Sequence, residues 1–174
     1  CGVAEHQSLL KAYVDARDCD PISAFGGIVA FNNKVESDVA NEIVSTFIEV
    51  LVAPSYSDEA IEILKAKPNL RVLQTPELKE RTENLMDIKK VVGGILYQDA
   101  DTTSDEDFVE YSVPTERKPS EEEISTLLLA WKVCKNVKSN AIVLARDNKT
   151  VGIGAGQMNR VNSVQLAQIK SKDH

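Results

Sequence analysis

Three stretches decide the fold class: Ile28-Val-Ala-Phe31, Val50-Leu-Val-Ala53 and Leu70-Arg-Val-Leu73. Each is short, largely apolar and of strand type, and a helical pattern separates each from the next. Between the first two, Val39, Ile43, Val44 and Phe47 recur at helical spacing, with Ser37 as the expected N-cap. Between the second and third, Pro54 stops the strand and Ser57-Asp-Glu59 opens a helix. Its acidic residues sit at the positive end of the helix dipole. Ile61 and Leu64 are expected inward, and the helix ends before Pro68. Upstream, Leu9, Leu10, Tyr13 and Val14 predict a helix over His6–Arg17, broken at Asp20-Pro21. Apolar strands alternating with amphipathic helices predict an α/β fold, with a βα sheet covered on both faces over the first 75 residues.

Downstream the pattern weakens. Thr75 to Asp87 is polar and mixed. Val91 to Tyr97 reads as a strand, with Gly93-Gly94 inside it as a bulge or close backbone approach. Asp99 to Asp107 reads as an acidic surface loop. Asp101, Asp105 and Asp107 lack EF-hand spacing with a closing Glu, so calcium is not supported.

From Ser120 the signal recovers. Ser120-Glu-Glu-Glu123 is a capping box ahead of an apolar run. Ile124, Leu127, Leu128, Trp131 and Cys134 are expected on the buried face of a long helix. Ala141 to Ala145 reads as a strand of central type, Asp147-Asn148 as a turn, and Thr150 to Ile153 as the strand that pairs back. Another helix is expected over Val161–Ile169.

Composition bounds the function. The 174 residues fit one domain, or two small ones sharing a core. A net charge of -7 argues against a nucleic-acid binder, which carries a basic stripe. No apolar run approaches the roughly 20 residues of a membrane span. The chain starts at Cys1 without Met, and is expected to be a piece of a longer protein. The cysteines, Cys1, Cys19 and Cys134, are odd in number and lack a C-x-x-C pair. That argues for ordinary thiols in a reducing cytosol rather than disulfides or zinc. His6 and His174 have no metal-ligand spacing with another candidate, and no metal is expected.

Two segments stand out chemically. In Ser23-Ala-Phe25-Gly26-Gly27, an aromatic ring beside paired glycines suits stacking on a planar ligand; a tight turn with Phe25 in the core is the alternative. In Lys138-Ser-Asn140 and Gly152-Ile-Gly154-Ala-Gly156-Gln157-Met-Asn-Arg160, an amide and a guanidinium flank a glycine-rich turn. Such groups recognise a polar or anionic small molecule. The glycines do not complete a dinucleotide fingerprint, since Asn159 stands at its last position, nor a P-loop. They serve equally as a plain turn. Lys132, Lys135 and Lys138 are also explained by the favourable placement of cations at a helix C-terminus. Glu49, on its own evidence, is a surface carboxylate.

Taken together, several segments resemble the transformylase region of the AICAR formyltransferase/IMP cyclohydrolase family. They are Cys1-Gly-Val-Ala4, Asp20-Pro-Ile-Ser-Ala-Phe-Gly-Gly-Ile-Val-Ala-Phe-Asn32, Phe47-Ile-Glu-Val-Leu-Val-Ala-Pro54, Trp131-Lys-Val133, Val137-Lys-Ser-Asn-Ala-Ile-Val143 and Val151-Gly-Ile-Gly-Ala-Gly-Gln-Met-Asn-Arg160. Thr75 to Glu116 is the least distinctive part. The resemblance implies a cytidine-deaminase-like α/β/α sandwich occurring as two duplicated units. Residues 1–75 would be the later part of the first unit, 76–119 a crossover or linker, and 120–174 the start of the second.

The implied reaction transfers a formyl group from 10-formyl-tetrahydrofolate to the 5-amino group of AICAR, in de novo purine (IMP) biosynthesis. Carried over by position, Phe25 and Gly26 line the AICAR pocket, Asn140 hydrogen-bonds at the reacting centre and Arg160 contacts the nucleotide. Glu49, where some members have Asp, is implied as a further AICAR contact. Lys138 and Gln157 join the substrate-binding set on chemical grounds. The family's catalytic Lys-His pair lies just upstream of the residue matching Cys1, so the isolated chain is expected to be inactive. The resemblance also implies a cytoplasmic homodimer acting on AICAR and folate, without nucleic acid or membrane. The alternative is a nucleotide-binding α/β module without catalysis.

Overall fold

The computed structural model describes residues 1–76, 86–101 and 111–173. Asp105 and Asp107, and most of the acidic loop read from the sequence, lie outside them. Residues 1–76 and 119–174 form one compact unit and residues 77–118 a second.

The larger unit opens with α1 (Leu9–Asp18), α2 (Pro21–Ala24), β1 (Gly27–Ala30), α3 (Ser37–Ser45), β2 (Ile48–Ala53), α4 (Asp58–Leu64) and β3 (Arg71–Gln74). The three strands are parallel, in the order β1-β2-β3. Ser8 caps α1 and Ser57 caps α4 through their side chains. The cap of α3 is Glu36 without a side-chain bond, not Ser37, which is already the first helical residue. Phe47 leaves the helical register too: α3 stops at Ser45 and is capped by Thr46, and β2 begins at Ile48, two residues ahead of the expected Val50.

The register places Val29, Leu51 and Val72 on one face of the sheet. That face meets α1, α3 and α4 in a core built on Tyr13, Val39, Ile43, Leu51, Ala60 and Leu64. Crossovers of one hand that step across a sheet in one direction keep their helices on one side. The opposite face shows the consequence. Ile28 is 73% exposed and Leu73 52%, with Ala30 and Arg71 exposed beside them. Cover on both faces is therefore not what the described residues provide.

The second part of this unit holds α5 (Glu121–Lys135), β6 (Ile142–Arg146), β7 (Lys149–Gly154) and α6 (Arg160–Lys170). The capping box at Ser120 and Glu123 is formed. The buried side of α5 differs from expectation, with Leu129 and Val133 buried while Leu127 and Trp131 are mostly exposed. The helix is apolar on more than one side, so spacing alone does not choose the face that packs. β6 and β7 pair antiparallel through a turn at Asp147 and Asn148, both at positive φ. Such a two-residue turn matches the twist of the hairpin. The first residues of the chain complete this sheet. Ala4 bridges Lys149, Glu5 N donates to Asn148 O at 2.9 Å, and Thr150 N donates to Val3 O at 2.9 Å.

In the smaller unit, β4 (Met86–Val91) pairs antiparallel with β5 (Gly94–Asp99). The segment read as one strand with an internal bulge is thus a hairpin. Gly93, at φ 87, forms its turn, a conformation at the third turn position that glycine favours.

Candidate functional site

The residues singled out from the sequence fall into two groups. The first forms where the turn after α2 meets the start of β2. Gly26, at φ 70, donates its N–H to the Phe47 carbonyl at 2.8 Å. A Cβ at Gly26 would stand 3.4 Å from the Phe47 ring and 3.6 Å from Glu49 Oε1. Phe25 is 74% exposed and packs against Phe47 with ring centroids 4.9 Å apart and the planes tilted by 40°. Phe25 is therefore not a core residue. Phe25, Gly26, Phe47 and Glu49 make one small surface with an aromatic wall and a carboxylate. Phe47 escaped the sequence reading because its position continued the helical spacing of α3.

Asp20 anchors this turn. It caps α2, accepting from Ser23 N at 3.2 Å and from Ser23 Oγ at 2.8 Å, and it pairs with Lys170 at the end of α6. Burial pushes its carboxyl pKa up, but Lys170 and Ser23 more than offset this and hold it at about 2. The N-cap of the Phe25 turn is thereby tied to the helix that begins at Arg160.

The second group lies between the end of α5 and the start of α6. Gly156 N donates to Lys138 O at 2.8 Å, and Asn140 N to Gln157 O at 3.2 Å. The Asn140 side chain closes the same contact, with Nδ2 2.9 Å from Gln157 O. A carbonyl oxygen only accepts, so the atom facing it is the amide nitrogen, and the orientation of the amide is fixed. Among the described residues, Oδ1 and the second N–H make no hydrogen bond. Ser163, inside α6, donates from Oγ to Asn140 O at 2.8 Å. Cys134, Lys135, Val137, Ser139, Asn140 and Arg160 are among the residues lining a cavity of about 560 Å³ beside it.

The glycines here have separate tasks. A Cβ at Gly154 would stand 1.9 Å from Ser163 O, and one at Gly152 would stand 2.2 Å from Ala167 O. These two let α6 close onto β7 rather than present a floor to a ligand. Gly156 makes the turn, at φ 65, with the Lys138 Cδ 3.9 Å from where its Cβ would be. Gln157 offers its backbone carbonyl to Asn140, while its side-chain Nε2 donates to Ala155 O at 3.0 Å. Arg160 is exposed at the first position of α6, which Asn159 caps by accepting from Asn162 N at 2.8 Å.

His6 stands apart from both groups, its Nδ1 accepting from Ser8 N at the start of α1. Among the described residues, no set of three or more His, Cys, Asp or Glu side chains is arranged to hold a metal ion. None of the described helices is long and apolar enough to cross a membrane.

Residues 1–170 match the family model described as AICARFT/IMPCHase bienzyme. The chain belongs to the AICARFT/IMPCHase bienzyme family. The bifunctional purine biosynthesis protein PurH of Magnetococcus marinus is 50% identical to it over 175 residues, covering 99% of this chain and 33% of its own length. PurH of Bacillus mycoides is 49% identical over 168 residues, covering 96% of this chain and 32% of its own length. PurH of Sorangium cellulosum is 49% identical over 171 residues, covering 98% and 33%. The chain thus spans about a third of the length of these relatives. Its fold is mixed α/β.

Proposed function

We propose that this chain supplies part of the AICAR site of a formyltransferase acting in IMP biosynthesis, with 10-formyl-tetrahydrofolate as the formyl donor. The observation that carries this reading is the fixed amide of Asn140. Its nitrogen is committed to Gln157 O, which leaves Oδ1 to accept from an amine and one N–H to donate to an oxygen. The 5-amino group of AICAR is a poor nucleophile, because its lone pair is conjugated into the imidazole carboxamide. A positioned acceptor aims that amine at the formyl carbon, and a positioned donor favours the oxyanion that forms there. The new N–C bond forms first, giving the tetrahedral oxyanion, and its collapse restores the carbonyl and breaks the bond from the formyl carbon to the folate nitrogen. The proton leaving the amine balances the one the folate nitrogen takes up.

The other residues take binding roles in this proposal. Phe25 stacks on the planar heterocycle, with Gly26 letting the ligand come close. Glu49 accepts hydrogen bonds, and Arg160, Lys138 and the half-buried Gln157 turn face the carboxamide and ribonucleotide. In this proposal the chain's contribution is orientation and binding. We place the fold within the cytidine-deaminase-like α/β/α sandwiches, with residues 1–75 and 120–174 belonging to two duplicated units. In this proposal the working enzyme is a homodimer.

A nucleotide-binding module without catalysis is the second reading, favoured by the exposed, Arg-bearing N-terminus of α6. Calorimetry separates the two. Binding of AICAR to the 174-residue chain, with NAD and ATP giving no heat, supports the transformylase reading. Equal binding of all three overturns it.

A further inference from the structure

We propose that Ser163 is a positioning residue for Asn140, an inference that rests on the AICAR reading only for its functional consequence. Ser163 is fully buried inside α6, where a serine hydroxyl ordinarily bonds back to the carbonyl one turn earlier. Here Oγ instead reaches out of the helix and donates to Asn140 O at 2.8 Å, across 23 residues of sequence.

That bond completes a three-point grip. Asn140 N and Nδ2 both donate to Gln157 O, so the peptide plane before Asn140 and its side chain are tied to the α6 entry loop. The Ser163 bond ties the plane after it to the helix itself. With both flanking planes held, the amide has one remaining way to turn, rotation about its own side-chain bonds, and the Gln157 contact stops that. The helix cannot carry Ser163 away, because Ser163 O lies against the bare face of Gly154 on β7. The side chain left for the ligand is thereby pre-set before any ligand arrives, which lowers the ordering cost of binding.

The test is Ser163→Ala, which removes one oxygen and adds nothing to the packed interior. Nuclear magnetic resonance of the 15N-labelled chain follows the Asn140 side-chain N–H pair, and calorimetry follows AICAR. We expect Nδ2 proton exchange to rise about tenfold, and AICAR affinity to fall about three- to tenfold, the scale of one hydrogen bond. Ser163→Cys, similar in shape but a weak donor, is expected to fall between the two, and is read in the same way if Ser163→Ala does not fold. Unchanged Asn140 exchange overturns the proposal whatever AICAR does. Faster exchange in chains that bind no AICAR, wild type included, supports the positioning role and rejects the AICAR reading.

Discussion

Asp20, the N-cap of α2, and Lys170, in the last turn of α6, form an ion pair that joins the short helix of the Phe25 turn to the helix of the Asn140 group. Its carboxylate is 8% exposed and its pKa falls from the ordinary 3.8 to about 2. A carboxyl whose pKa is lower in the folded state stabilises the fold at pH above its unfolded value, and that contribution is lost as the pH drops through the folded value. The shift corresponds to about 2 kcal/mol. Lys170 is 40% exposed, so solvent screening reduces this to about 1–2 kcal/mol. Asp20→Asn keeps a capping side chain and removes the charge. We expect it to lose this stability at pH 7, and to flatten the fall in melting temperature between about pH 5 and pH 2, as read by circular dichroism.

Gly154→Ala tests the packing role of the glycine-rich segment. The new methyl would stand 1.9 Å from Ser163 O, so α6 must move. A loss of about 1–3 kcal/mol or more is expected in urea unfolding. Gly94→Ala is the control: nothing lies within 4 Å of its Cβ, and the change stays within about 0.5 kcal/mol.

Phe25→Ala separates binding from stability. The ring is mostly exposed and its pairing with Phe47 is worth about 1 kcal/mol at most. The melting temperature is expected to move little, while AICAR affinity falls at least about tenfold, as one lost stacking partner on a planar ring implies. A change in stability with unaltered affinity would return Phe25 to a structural role.

The two faces of the β1-β2-β3 sheet differ in cost. Leu51→Ala, at a fully buried position, is expected to lose about 2–5 kcal/mol. Ile28→Thr, on the open face, is expected to stay within about 1 kcal/mol. Denaturant titration of both variants checks the assignment of inside and outside.

The strands of the larger unit and most helices are legible because period and punctuation agree, as at Ser57 before α4 and Asp147-Asn148 between β6 and β7, whereas the exposed hairpin β4-β5 carries no such pattern and reads as one strand. On α5, Ile124, Leu128 and Cys134 are half-buried as the spacing implies, but Leu127, Trp131 and Leu129, Val133 make two competing apolar stripes, and only the second packs inward. Phe47 was misplaced because one aromatic fits both the end of a helix and the start of a strand. Within the candidate site, Asn140 and Phe25 were visible as chemistry. Ser163 was not, since a serine in a helical pattern gives no sign that its hydroxyl reaches a residue 23 positions away. No pattern in the sequence joins the Phe25 group to the Asn140 group.

Whether the two groups serve one ligand is tested most directly by titrating AICAR into the 15N-labelled chain. The amide of Gly26, the side-chain N–H pair of Asn140 and the side-chain signal of Arg160 are expected to shift together, along one binding curve. Shifts confined to one group, separate curves for the two, or no shifts at all would show that they do not form a single AICAR site.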